Sequence, residues 1–131
     1  MYVILNYAST PQDEFEVIDD VDAKNAIEIF DTFNWLHEIE IHQNRREKFP
    51  SISVYVAGER EMITMYARRE EDNIYFFSQC RFPGEVERFF GLYRAWGTVT
   101  LTCMAFSYEQ ARNALVLMMA KNYDGLRELF A

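Results

Sequence analysis

Two segments of strict period-two alternation, joined by a four-residue turn, constrain the fold of this chain most. Ile52, Val54 and Val56 alternate with Ser53 and Tyr55; after Ala57-Gly58-Glu59-Arg60, Ile63, Met65 and Ala67 alternate with Thr64 and Tyr66. Successive side chains of a strand point to opposite faces, so this spacing buries one face of a sheet. Links this short join antiparallel neighbours. The same reasoning extends along the chain. Arg69-Glu70-Glu71-Asp72-Asn73 reads as a turn and Ile74–Ser78 as the next strand. Val99, Leu101, Cys103 and Ala105 form another strand, with Thr98, Thr100 and Thr102 opposite. At the start, Tyr2–Tyr7 and Phe15–Asp19 suit a first hairpin across the turn-rich Ser9–Asp13. Glu38-Ile39-Glu40-Ile41-His42 also alternates and reads as a strand, with Ile39 and Ile41 inward and Glu38 and Glu40 facing solvent. Asn44–Lys48 reads as a polar loop.

Two helices stand out. Asp20 or Asp22 can cap the first, because a short carboxylate satisfies free N–H groups at a helix start. Ala23, Ala26, Ile27, Phe30 and Phe33 follow at helical spacing and predict a helix over roughly 22–33. Ser107 and Gln110 match a capping box ahead of the stripe Ala111, Ala114, Leu115, Met118 and Met119, which ends near Asn122. Asp124–Phe130 suits a further short helical turn. Residues 81–97 fit helix or loop: Val86, Phe89, Phe90 and Tyr93 have helical spacing, but Gly91 interrupts them. The expected fold is α+β, an antiparallel meander sheet with two main helices packed on it, in one domain over residues 1–131.

The ends and the cysteines narrow the setting. Met1–Tyr7 has no basic region ahead of its short apolar run and does not read as a signal peptide. No run approaches the ~18 apolar residues of a membrane span, so a cytoplasmic protein is expected. Cys80 and Cys103 then read as free, small apolar residues on strands rather than a disulfide.

Charge is unevenly placed. The formal net charge is −8. Residues 1–40 hold ten acids against Lys24 alone, a charge of −9, while residues 41–131 sum to +1. An acidic chain is a poor match for nucleic acid or an anionic membrane, both of which need a positive face. It suits a basic protein partner, because complementary fields speed association and select partners. Asp19, Asp20, Asp22, Glu38 and Glu40 are the candidate contacts on the acidic side. Between 81 and 96, aromatic and arginine residues interleave. Tyr, Trp and Arg dominate protein–protein hot spots, which makes Phe89, Tyr93 and Trp96 candidate anchors.

Catalytic chemistry finds little support. His37 and His42 are five apart, whereas a zinc helix needs histidines four apart on one face, so no metal site is expected. No phosphate-cradling glycine loop or nucleophile elbow occurs. Paired acids such as Glu38/Glu40 and Glu85/Glu87 lack the burial that tunes a general acid. No enzyme activity and no cofactor are expected.

A resemblance adds to this. Phe15-Glu16-Val17-Ile18-Asp19-Asp20-Val21-Asp22 leads into a helix. Phe49-Pro50-Ser51-Ile52-Ser53-Val54-Tyr55-Val56 returns through Glu61–Tyr66, and Ser107-Tyr108-Glu109-Gln110-Ala111 opens the last amphipathic helix. This order resembles small immunity proteins of bacterial polymorphic toxin systems, in particular the first-numbered immunity family, which includes inhibitors of deaminase toxins. The resemblance implies a cytoplasmic α+β inhibitor whose partner is a cognate toxin; it implies no catalytic residue. A homodimer is compatible with it. The alternative function is a small-ligand-binding or adaptor domain, such as a secretion chaperone.

Overall fold

The computed structural model describes residues 1–11, 13–45, 48–88 and 90–131, with the backbone alone for residues 43–45 and 88. The chain runs β1 (Tyr2–Asn6), β2 (Glu16–Ile18), α1 (Ala23–Thr32), α2 (Trp35–Arg45), β3 (Ser51–Tyr55), β4 (Met62–Glu70), β5 (Asn73–Arg88), β6 (Tyr93–Phe106), α3 (Tyr108–Met119) and α4 (Tyr123–Phe130). All six strands join one sheet in the order β2-β1-β3-β4-β5-β6, every pair antiparallel. The expected α+β class and meander are present.

One face of this sheet is the core. Ile52 and Val54 of β3 pair with Met65 and Ile63 of β4, and all four are buried. Val3 and Leu5 extend that layer on one side, Cys80 and Phe82 on the other. The helices cover it with Ala26 and Phe30 from α1, Ile39 from α2, Leu115 and Met118 from α3 and Leu126 from α4. On the opposite face Tyr2 stacks on Tyr55 with centroids 4.8 Å apart, and Tyr66 on Phe77 at 5.4 Å.

The helix starts follow their predicted chemistry. Asp22 caps α1, its carboxylate accepting from the Asn25 N–H at 2.8 Å. Both bonds of the Ser107/Gln110 capping box are made. Asp31 ties α1 to α3, accepting from Arg112 Nε at 2.8 Å and Nη2 at 2.9 Å. The Arg112 guanidinium accordingly holds the Asp31 carboxyl below its ordinary pKa.

Three expectations are corrected. Residues 38–42 are not a strand but the middle of α2. Trp35, Glu38, Ile39 and His42 recur at helical spacing and are buried or half-buried together. The Ile39/Ile41 alternation matched a strand only because buried Glu38 disguised the helical stripe. Asn44 and Arg45 belong to this helix as well, Lys48 follows outside it as expected, and Arg46 and Glu47 lie outside the described residues. Second, residues 81–88 and 93–97 are neither helix nor loop: they extend β5 and β6 into a hairpin, paired as far as Arg88 with Tyr93, and Phe90–Leu92 belong to its turn. Third, among the described residues the layer holds α2 beside the two expected main helices, α1 and α3, and the expected short helical segment, α4. A register shift between Phe76 and Ser78 also turns Phe106 rather than Ala105 into the core.

Candidate protein-binding surface

The β5–β6 hairpin outgrows the sheet. Pairing of β4 with β5 begins at Met62 and Arg81, so Phe82–Arg88 continue with β6 alone as a two-stranded ribbon. The ribbon turns through Phe90 and Gly91, both at positive φ (59° and 82°). Gly91 adopts this conformation without strain, but Phe90 does not, because its Cβ crowds the backbone there. The Phe90 side chain gains nothing from folding in return, since it is fully exposed. Leu92 is 84% exposed, Trp96 73% and Tyr93 49%. Large apolar side chains gathered on a projecting element mark an interaction site on a protein surface.

A cleft of about 470 Å³ lies beside the ribbon, between β5 and α4. Its base is built closely. Tyr123 stacks parallel to Phe82, with centroids 4.5 Å apart and planes within 2°. Arg127 places its guanidinium 5.6 Å from the Phe82 centroid and donates from Nη2 to the Glu85 carbonyl at 3.1 Å. A Cβ at Gly84 would lie 3.0 Å from Val99 and 3.3 Å from Arg127, so a larger residue would require these neighbours to shift by a few tenths of an ångström. The Tyr123 hydroxyl donates to Glu61, and burial followed by that carboxylate pushes its pKa up to about 12. On the rim, Arg94 reaches Glu85 at 3.8 Å. Arg127, Pro83 and the charged Glu85 and Glu87 also blunt this edge of β5 against uncontrolled strand addition.

The acidic segment sits elsewhere. Asp13, Glu14, Glu16, Asp19, Asp20 and Asp22 are all exposed around β2, the strand at the opposite end of the sheet from β6. Phe15 and Val17 are exposed among them. Tyr7 donates to Glu16 at 3.0 Å, and burial together with this carboxylate raises its phenol to about 12.

The candidate contacts therefore separate into two places. Asp19, Asp20 and Asp22 stand at the β2 edge, Asp22 also serving as the α1 cap. Tyr93 and Trp96 stand on the ribbon; Phe89 lies outside the described residues. Glu40 is exposed on α2. Glu38 is not on a solvent face as expected: it is 3% exposed, and Oε1 accepts from Ser9 Oγ at 2.9 Å and Ser9 N at 3.3 Å. It anchors the loop after β1 to α2. Sequence reasoning overlooked Leu92, Gly84 and the α4 residues Tyr123, Asp124 and Arg127. The exposed Leu92 beside Gly91 was the available signal for the first.

Other chemistry finds no assembly. His37 is exposed, and the His42 ring bonds the Lys48 carbonyl at 2.8 Å. Among the described residues no group of three or more His, Cys, Asp or Glu is placed to hold a metal ion. Cys80 and Cys103 are unbridged, and burial pushes the Cys80 thiol up to about 12, which keeps it protonated. Among the described residues no helix is long and apolar enough to cross a membrane. No protein-family model, no curated protein and no solved structure matches the chain.

Proposed function

We propose that this chain is a protein-binding inhibitor of the immunity type, which neutralises a basic toxin by docking the β5–β6 hairpin onto it. The observation that carries this reading is the exposed tip formed by Phe90, Leu92 and Tyr93, with Trp96 exposed farther along the ribbon opposite Glu85. Such anchors supply affinity when a partner removes them from water, at roughly 25 cal/mol per Å² of apolar surface. The acidic β2 edge lies across the sheet from this tip and acts at longer range, steering a basic partner toward the molecule. The six acids there and the exposed anchors are the two halves of a fast, tight inhibitor. Non-catalytic action in the cytoplasm belongs to the same proposal.

Low-salt capture from the native cell tests it. A single basic polypeptide should co-elute stoichiometrically, arrest growth when expressed alone and lose that effect when co-expressed with this chain. Recovery of no stoichiometric polypeptide, or of one whose toxicity persists on co-expression, contradicts the reading.

A second reading has one observation in its favour. A polar hollow of about 310 Å³ on the opposite sheet face contains Ser53 and Thr64, hydrogen-bonded to each other at 2.9 Å, between Tyr55 and Tyr66. Hydroxyls flanked by aromatic rings suit a small polar ligand.

A further inference from the structure

We infer that the cleft between β5 and α4 receives an arginine side chain of the protein partner. This rests on the protein-binding reading above and specifies what the partner presents beside the hairpin tip.

Three features of the cleft converge on a guanidinium. The first is its charge once internal pairs are removed. Glu85 faces Arg94, and Arg127 is occupied by the Glu85 carbonyl and the Phe82 ring. Glu87 and Asp124 also line the cleft, and neither forms an ion pair among the described residues. With Glu85 and Arg94 paired, among the described lining residues these two carboxylates face the single cation Arg127, whose partners are neutral, and the lining keeps one negative charge in excess. The second is Trp96, which lines the same cleft with most of its surface exposed. An indole face attracts a cation, and a flat guanidinium both stacks on it and offers a fork of N–H donors to carboxylates. The third is space: about 470 Å³ accommodates one long side chain and its hydration. An anionic ligand would meet Glu87 and Asp124, and a purely apolar one would desolvate them without compensation.

Position makes the cleft part of the same contact as the tip. Glu87 lies one residue from the last pair of the ribbon, and Trp96 three pairs from it. A partner that buries Phe90 and Leu92 brings its own surface over the cleft. An arginine there would find its charge matched, whereas a partner without one would leave Glu87 and Asp124 uncompensated, which is how buried charge confers selectivity.

The probe is the blocked tripeptide N-acetyl-Gly-Arg-Gly-amide, titrated at millimolar concentration into the ¹⁵N-labelled full chain. Lysine and glutamate versions serve as comparisons. The indole N–H of Trp96 is the reporter, and that of Trp35, buried and bonded to the Phe30 carbonyl at 3.1 Å, is the internal reference. The arginine peptide should shift Trp96 and the amides of Gly84, Glu87 and Asp124 saturably and leave Trp35 in place. Glu87→Gln with Asp124→Asn should weaken binding by about threefold or more, the effect of removing partly exposed ion pairs. Absence of a saturable Trp96 shift overturns the inference, as does equal binding of the glutamate or lysine peptide or of the double variant. If the arginine peptide fails while the hairpin tip still captures the protein partner, only the cleft assignment falls. If the tip captures nothing, the parent reading falls with it.

Discussion

Tyr123 lies parallel to Phe82, and this stack fastens α4 to the base of the β5–β6 ribbon. Phe82 is the first β5 residue beyond the β4 pairing, so the ribbon leaves the sheet where α4 grips it. Leu126, fully buried, holds the same helix to the core. Orientation of the exposed hairpin thus depends on an eight-residue helix at the chain's far end.

Truncation of that anchor follows directly. Leu126→Ala should destabilise the fold by about 2–5 kcal/mol, the range for removing a fully buried leucine. Urea unfolding measures the loss. The Trp96 indole signal should shift in the same variant under native conditions, because α4 forms one wall of the cleft.

The Ser107 capping box sets a smaller and separable effect. Ser107→Ala leaves the Gln110 N–H without its partner and should lower stability by about 1 kcal/mol. The hairpin is remote from this cap, so partner capture should be unchanged.

Alkaline pH probes Tyr7 and Tyr123. Both phenols are raised from their ordinary value of 10.0 to about 12, by burial first and a carboxylate second. A folded-state pKa above the unfolded one favours the protonated form in the native state. The contribution is complete below the unfolded pKa near 10 and is lost as pH rises toward 12. Stability should therefore fall across this window, and Tyr7→Phe and Tyr123→Phe should each make the decline shallower. A decline of equal steepness in both variants would remove these two phenols from the account.

Much of the sheet was legible from alternation. Ile52, Val54, Ile63, Met65 and Ala67 point inward as their spacing implies, because one face of β3 and β4 is wholly core. The caps at Asp22 and Ser107 were legible for a similarly local reason: one side-chain oxygen meets one N–H three residues on. α2 was hidden because its buried stripe includes Glu38, whose Oε1 accepts from Ser9, a residue 29 positions away, while its Oε2 is buried without a partner among the described residues. The ribbon was hidden because its inward face, Phe82, Gly84, Val86, Ala95, Gly97 and Val99, is broken by two glycines, while Glu85, Glu87, Arg94 and Trp96 occupy the exposed side of a two-stranded element. The candidate surface was half legible. Interleaved aromatics pointed to Tyr93 and Trp96, but nothing local brings Asp124 and Arg127 to them.

Neutralising the acidic edge separates steering from contact. Asp19→Asn, Asp20→Asn and Asp22→Asn together should slow association with the captured partner by about tenfold at low salt and flatten its salt dependence. Dissociation should be nearly unchanged, because these residues stand at the opposite end of the sheet from the hairpin. Asparagine at position 22 still caps α1, so stability should hold. An unaltered association rate would remove the acidic edge from the account.

The turn itself offers the most direct test. Phe90→Gly relieves a positive φ and should leave stability unchanged or raise it by up to about 1 kcal/mol. Leu92→Ser, at a largely exposed position, should change it by less than about 0.5 kcal/mol. The double variant Phe90→Gly/Leu92→Ser is thus expected to fold as well as the parent while lacking two of its exposed anchors. The decisive measurement is parallel low-salt capture with the parent chain and this double variant, at matched melting temperatures. The parent should retain the basic, growth-arresting polypeptide and the variant should lose it. Equal retention by the variant would contradict docking through the hairpin.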